Sequence, residues 1–182
     1  MMLSLLQSMR PHQWLKNIFI FSGLLFGHQQ NNIEYVYLAF QAFIAFTLVS
    51  SAGYIFNDLL DKKSDAHHPQ KKYRPIANQT LSTNHAIIGL SFLLFSGLGL
   101  GLYLSLQIFQ ILIAYVILMI SYSTLLKHIP WIELICIASG FVLRILLGTW
   151  GIGIQPSVWV IACGFLLALF LILTKRYSEK II

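Results

Sequence analysis

The sequence is poor in charge. Only 10% of its 182 residues are Asp, Glu, Lys or Arg, whereas 57% are hydrophobic and the mean hydropathy is +0.74. A water-soluble domain typically carries about 25% charged residues, and so apolar a chain cannot hide its surface in one small core. The composition therefore excludes a soluble globular domain and indicates an integral membrane protein.

Cysteine and acidic residues are also scarce. Cys136 and Cys163 lie within apolar runs and show neither a CxxC pattern nor the Cys/His spacing of a metal site, so we interpret them as small core side chains. Six acidic residues stand against twelve Lys and Arg, which gives a net charge of +6. In a membrane protein such an excess is typical of cytoplasmic loops, and we expect no nucleic-acid partner.

Long apolar runs dominate the chain. A helix needs about 20 apolar residues to cross a bilayer. The candidate spans lie near residues 14–29, 35–56, 86–105, 107–125, 131–152 and 157–174. They are rich in Gly, Ser and Ala, which let helices approach each other closely in lipid. We therefore predict an all-α, polytopic transmembrane bundle of six spans that forms one domain over residues 1–182.

The basic residues sort the connections between these spans into two kinds. The connections "HQQNNIE", "SLQ" and "GIQPS" contain no Lys or Arg. The others alternate with them and hold eleven of the twelve bases, namely Arg10, Lys16, Lys62, Lys63, Lys71, Lys72, Arg74, Lys127, Lys175, Arg176 and Lys180. Since cytoplasmic loops collect Lys and Arg, we expect both termini and the 58–85 connection to face the cytoplasm, across a bacterial inner membrane.

Half of the acidic residues fall in one stretch, "NDLLDKKSD", at residues 57–65. Asn57, Asp61 and Asp65 are spaced by four and form one stripe on a helix, with Asp58 beside it. Like charges at this spacing repel, so a positive group is needed between them. Carboxylate and amide oxygens suit Mg²⁺. The alternative is that the acids pair with Lys62, Lys63 or bases further along, on a solvated helix end.

Three bases follow the acids within the same connection: Lys71, Lys72 and Arg74, in "HHPQKKYRP". A polyphosphate ligand needs a metal to take part of its charge and Lys or Arg to take the rest. The same residues could instead form a self-neutralising surface loop. We interpret the connection as a phosphate-binding loop beside a metal site.

The twelfth base, Arg144, lies inside an apolar run, "ASGFVLRILLGTW". A charge at this depth costs about 2.5–3.5 kcal/mol on insertion scales and should face the bundle interior or a polar cavity. Glu133, eleven residues earlier, would lie roughly 16 Å away along a helix, too far for a direct bond. We therefore predict that Arg144 points into a cavity under the acid cluster and binds a phosphate group.

The motif "NDLLDKKSD" resembles the NDxxDxxxD motif of the UbiA-type intramembrane prenyltransferases. The segments "MRPHQWLKN", "NDLLDKKSDAHHPQKKYRPIA", "YSTLLKH" and "GFVLRILLG" look like one branch of that family, the decaprenyl-phosphate phosphoribosyltransferases. The resemblance runs from about residue 9 to 180. It implies an all-helical bundle that binds a diphosphate through Mg²⁺.

The resemblance also implies roles for individual residues. Asn57, Asp58, Asp61 and Asp65 would hold Mg²⁺ and the diphosphate, and the three aspartates would act in catalysis. The further substrate-binding residues it implies are Lys16 and Asn17 in the first helix, Tyr122 and Lys127 in the YxxxxK segment, and Lys175 with Arg176. Two features depart from the family: the sequence has no second Asp-rich motif, and the family bundle has about nine helices. We therefore expect missing C-terminal helices or an oligomer.

The function implied is transfer of phosphoribose from phosphoribosyl diphosphate (PRPP) to a polyprenyl phosphate. An aromatic prenyltransferase that uses a polyprenyl diphosphate donor would need the same Asp motif. A membrane transporter or scaffold is the non-enzymatic alternative. Because the charged residues collect at the cytoplasmic ends and not at the midplane on both sides, the sequence favours a one-sided cavity, and hence an enzyme.

The predicted sidedness can be tested by labelling single cysteines in a background with Cys136 and Cys163 replaced by serine. A cysteine at Ser64 should react only from the cytoplasmic side, and a cysteine at Asn31 only from the other side, because the charge pattern puts these connections on opposite faces. Labelling of both positions from outside the cell would contradict the map.

Overall fold

The described part of the chain is built from helices. The computed structural model describes the backbone of residues 2–181, and the side chains of that range except those at 128, 130, 175 and 178–181. The α-helices are α1 (Met2–Ser8), α2 (Ser22–Phe26), α3 (Ile33–Leu60), α4 (Lys62–His67), α5 (Thr83–Leu104), α6 (Leu106–Thr124), α7 (Pro130–Leu147) and α8 (Val158–Ile181). Short 3₁₀ segments occupy Pro11–Phe21, Lys71–Tyr73, Leu126–His128 and Trp150–Ile152.

Four helical stretches are long and apolar enough to cross a membrane: Ile33–Leu60, Thr83–Leu104, Leu106–Thr124 and Trp131–Ile152. They match the second to fifth predicted spans. The last predicted span, 157–174, corresponds to a shorter apolar part of α8, Val158–Thr174. The first, 14–29, is not one α-helix, because a 3₁₀ segment from Pro11 to Phe21 is followed by the five-residue α2.

Helix α3 forms the centre of the bundle. In its most apolar stretch 61% is buried, against 22% for α5 and for α6. Its inner face carries small residues, among them Ala39, Ala42, Ala45 and Ala52, each at most 1% exposed. Small side chains allow neighbouring helices to approach closely. The polar C-terminal end of α3 is therefore held in place by the packing of the helix from Ala39 onwards.

The N-terminal segment lies with its backbone directly against the end of α7. A Cβ atom added to Gly23 would come within 1.7 Å of the Gly148 carbonyl oxygen, and one added to Gly148 within 1.6 Å of the Ile20 carbonyl oxygen. Only glycine allows so close an approach. The first predicted span is a 3₁₀ segment and not one α-helix because its backbone packs against the end of α7. This packing also places Asn17 beside Arg144.

The acid cluster spans the junction of α3 and α4. Helix α3 ends at Leu60, and Asp61 links it to α4. Backbone hydrogen bonds continue through the junction, from Asp61 N to the Asn57 carbonyl at 3.0 Å and from Asp65 N to the Asp61 carbonyl at 2.8 Å. Asn57, Asp61 and Asp65 therefore remain one helical turn apart across the α3–α4 junction, as the sequence predicts.

We expect Gly148→Ala to lower the free energy of unfolding by about 3 kcal/mol, the upper end of overpacking costs, because its Cβ would collide with the Ile20 backbone. Gly99→Ala is the matched control, since no atom lies within 4 Å of a Cβ there, and alanine in a helix is favoured by about 0.5–1 kcal/mol. Thermal unfolding in detergent measures both. Equal stability of the two variants would contradict the close contact.

Candidate active site

A cavity of about 620 Å³ opens among the N-terminal segment, α3, α4, α6, α7 and the loop before α5. Its lining includes six bases and three acids, namely Arg10, Lys16, Lys71, Arg74, Lys127 and Arg144 with Asp61, Asp65 and Glu133. In a low-dielectric membrane bundle this excess of positive charge favours a ligand with several negative charges.

One aspartate of the motif lies behind the cavity wall. Asp58 is 2% exposed, and its Oδ1 accepts hydrogen bonds from Arg10 Nη2 at 2.5 Å and from Arg74 Nη1 at 3.1 Å. Arg74 Nη1 also donates to Asp65 Oδ2 at 2.7 Å. Two acids and two bases thus form one cluster. The cluster involves neither Lys62, whose Nζ donates to Thr83 Oγ1, nor any other lysine of α4.

A second group surrounds Asp61 at the cavity surface. Lys127 Nζ donates to Asp61 Oδ1 at 2.5 Å, and Asn57 Nδ2 donates to Asp61 Oδ2 at 3.0 Å. The carbonyl oxygen of the Asn57 side chain is buried, and no donor in the described part of the chain reaches it. A buried polar atom without a partner is costly, so this oxygen is available to a ligand.

These residues fit a magnesium ion shared with a substrate. Within the described residues, no three His, Cys, Asp or Glu side chains are grouped closely enough to hold a metal ion. Mg²⁺, however, is usually held by one or two carboxylates together with substrate phosphates and water. Asp61, Asp65 and Asn57 all border the cavity, and the side-chain oxygen of Asn57 has no hydrogen-bond partner among the described residues. These residues could supply such ligands.

Arg144 lies deeper in the same cavity and is 5% exposed. Its Nε donates to Asn17 Oδ1 at 2.9 Å, and its Nη1 donates to the Gly140 carbonyl at 2.7 Å. Asn17 is itself fixed, because its Nδ2 donates to Thr47 Oγ1 at 3.0 Å. Arg144 is therefore held in one orientation.

Three aromatic rings surround the Arg144 guanidinium. The ring centroids of Phe46, Tyr115 and Phe141 lie 4.7, 5.5 and 5.5 Å from its Cζ. Cation–π contacts of this kind stabilise a desolvated charge. Among the described residues, none of the recorded partners of Arg144 is a carboxylate, so this buried charge lacks an internal counter-ion.

Glu133 takes part in a separate contact, on the cavity wall. Its Oε1 accepts a hydrogen bond from the Tyr122 hydroxyl at 3.3 Å, and its carboxylate pairs with Arg176 of α8. The predicted candidates Tyr122 and Arg176 therefore meet at this wall.

The remaining predicted residues fall into three positions. Lys16 and Lys71 line the cavity. Lys72 lies instead with its Nζ 5.2 Å from the centre of the Tyr73 ring, and the structure does not bring it to the acid cluster. The side chain of Lys175 lies outside the described residues.

Sequence reasoning missed several contributors to the cavity, among them Arg10 and Tyr54. The charge pattern indicates only a loop position for Arg10, yet Arg10 lines the cavity and binds Asp58. No sequence pattern indicates a role for Tyr54, whose ring centre lies 5.1 Å from the Arg10 guanidinium. The available signal was the position of Arg10 inside "MRPHQWLKN", one of the segments of the resemblance.

Comparison with known proteins gives one family. The model of the UbiA prenyltransferase family matches residues 17–179. Decaprenyl-phosphate phosphoribosyltransferase of Corynebacterium glutamicum is 32% identical over 190 residues, which cover 96% of this chain and 54% of that protein. The enzyme of the same name from Mycolicibacterium smegmatis is 29% identical, with 96% of this chain and 56% of that protein covered. The chain therefore spans about half the length of these relatives.

A solved structure shares the fold. The UbiA homolog from Archaeoglobus fulgidus bound to GPP and Mg²⁺ superposes with a TM-score of 0.78, at 20% sequence identity, over 97% of this chain and 64% of that one.

We expect Asn17→Asp to lower anion binding, because it gives Arg144 an internal counter-ion at the position of the present 2.9 Å bond. Inorganic diphosphate binding should weaken about tenfold, a loss of about 1.4 kcal/mol. Asn31→Asp, an exposed position, is the control. Unchanged diphosphate affinity in Asn17→Asp would contradict a ligand-binding role for Arg144.

Proposed function

The chain belongs to the UbiA prenyltransferase family of transferases, and on that premise we propose that it transfers phosphoribose from PRPP to a polyprenyl phosphate, with Mg²⁺. The observation that carries the proposal is the distribution of bases in the cavity. Arg10, Arg74 and Lys127 pair with the carboxylates of the motif. Arg144 is buried among three aromatic rings. Relatives named decaprenyl-phosphate phosphoribosyltransferase support the same reading.

The two groups of bases suit a reaction that brings several phosphate groups together. PRPP carries a diphosphate at one end and a monophosphate at the other, and the acceptor carries a third phosphate. Arg144 is buried among aromatic rings, whereas Arg10, Arg74 and Lys127 pair with the carboxylates of the motif. A cavity with bases in two such places can hold separate phosphate groups.

A groove beside the cavity suits the acceptor lipid. It has a volume of about 590 Å³ and lies between α6, α7 and α8, with Ala114, Leu143 and Phe165 in its walls. Leu118 borders both the groove and the polar cavity. A lipid chain in the groove would therefore bring its phosphate to the cavity, where the acceptor oxygen is needed.

Asn57, Asp61 and Asp65 would hold Mg²⁺, which neutralises charge on the diphosphate when bound. Lys127, which bonds to Asp61 in this structure, would then also bind the diphosphate. During transfer the bond from the anomeric carbon to the diphosphate oxygen breaks, and a bond to the lipid phosphate oxygen forms. The acceptor phosphate is already an anion, so no general base is required. Positioning and electrostatic stabilisation by the bases supply most of the rate.

We further propose that residues 1–182 form one transmembrane domain of six spans, with both termini and the 58–85 connection on the cytoplasmic side of the inner membrane. The Lys and Arg pattern supports this orientation. PRPP would then enter the cavity directly from the cytoplasm.

The transfer assay tests the function itself. Purified chain would be incubated with Mg²⁺, labelled PRPP and a polyprenyl phosphate, and in a parallel arm with a prenyl diphosphate and 4-hydroxybenzoate. Phosphoribosyl lipid in the first arm is expected. Product in the second arm alone would favour aromatic prenyl transfer. A folded sample that forms neither product would contradict the proposal.

We expect Asp61→Asn to abolish Mg²⁺-dependent binding of PRPP while the protein inserts and purifies normally. Asp61 is partly exposed on the cavity wall, and loss of its charge removes a metal ligand without leaving a buried gap. Glu34→Gln is the control, since it removes one acid from the opposite end of α3. The measurement is calorimetric titration with and without Mg²⁺. Parental affinity in Asp61→Asn would refute the metal site, whereas loss of expression would indicate a structural role.

A further inference from the structure

Arg10 has a strained backbone conformation, and the contacts of its side chain must compensate for the cost of that strain. Its φ and ψ are 54° and 65°, in the left-handed region, and Pro11 follows it. This region disfavours residues with a Cβ and favours glycine. The residue before a proline normally adopts an extended conformation. A strained arginine at this position indicates that its side chain has a task which glycine could not perform.

The side chain of Arg10 is fixed on two sides. Its Nη2 donates to Asp58 Oδ1 at 2.5 Å, and its guanidinium lies 5.1 Å from the centre of the Tyr54 ring. It is 22% exposed, whereas Asp58 is 2% exposed, and it borders the cavity. Arg10 thus bonds to a buried carboxylate while its side chain, still partly exposed, borders the cavity.

Asp58 aligns two guanidinium groups at once. Its Oδ1 accepts hydrogen bonds from Arg10 and Arg74, and Arg74 also donates a hydrogen bond to Asp65. Arg10 therefore lies beside the carboxylates proposed to hold Mg²⁺, and not beside the deep cage of Arg144. An anion at Arg10 would be the same one that the metal contacts.

We propose that Arg10 binds a phosphate oxygen of the donor's diphosphate, and that Asp58 is a positioning residue that orients Arg10 and Arg74 instead of a metal ligand. The inference rests on the proposed function. A guanidinium has five N–H donors, so the bond to Asp58 leaves several for the ligand. Its planar fork matches the geometry of phosphate oxygens.

The test is titration of inorganic diphosphate and Mg²⁺ into the purified chain. Arg10→Ala should weaken binding about tenfold or more, the loss expected for one charge-assisted contact. Lys63→Ala removes the same charge from an exposed position on α4 and should change the affinity less than about twofold. Asp58→Asn should also weaken binding, with the Mg²⁺ dependence retained, because the bases lose their alignment while the metal ligands remain.

Arg10→Gly separates binding from folding. It relieves the left-handed backbone, so its melting temperature should equal or exceed that of Arg10→Ala while its diphosphate affinity is equally low. If Arg10→Ala does not fold, the diphosphate affinity of Arg10→Gly provides the test instead. Parental affinity in a folded Arg10 variant would overturn the inference and leave the proposed function intact. Failure of the parent chain to bind both diphosphate and PRPP would overturn the proposed function, and the inference with it.

Discussion

Neutralisation of buried carboxylates at the end of α3 is the constraint on which the site depends. A carboxylate removed from water is tolerated only if paired and hydrogen-bonded. Asp58 meets this requirement with bases from two other parts of the chain, Arg10 from the N-terminal segment and Arg74 from the loop before α5. Each pairing brings a cation to the cavity wall. The need to satisfy one buried acid thus places two of the bases that line the cavity.

Arg144 presents the opposite case, a buried cation that no carboxylate among its recorded partners neutralises. Aromatic faces and the Asn17 amide offset part of its desolvation cost. A hydrophobic side chain of similar size would avoid that cost altogether. A charge at this position is explained if a ligand phosphate completes the pairing. The two parts of the cavity therefore differ. Arg10, Arg74 and Lys127 are paired with carboxylates, whereas Arg144 has no carboxylate among its recorded partners.

Much of this arrangement could be predicted from local patterns. Hydropathy located the four long apolar helices, and the spacing by four placed Asn57, Asp61 and Asp65 along one wall, because backbone hydrogen bonds run through the α3–α4 junction. The partners of the acids could not be predicted, since Arg10 reaches Asp58 across 48 positions and Lys127 reaches Asp61 across 66. The 3₁₀ form of Pro11–Phe21 could not be predicted either, because it accompanies a long-range contact between this segment and Gly148.

The central claim is that the cavity binds a diphosphate and a divalent ion together, on the surface formed by Asn57, Asp61 and Asp65. A crystal structure with Mn²⁺ and inorganic diphosphate, with Mn²⁺ located by anomalous scattering, tests it most directly. The account predicts one anomalous peak bonded to Asn57 Oδ1 and the Asp61 carboxylate, with Asp58 still bound to Arg10. An anomalous peak on Asp58, or none in the cavity at saturating Mn²⁺ and diphosphate, would contradict it.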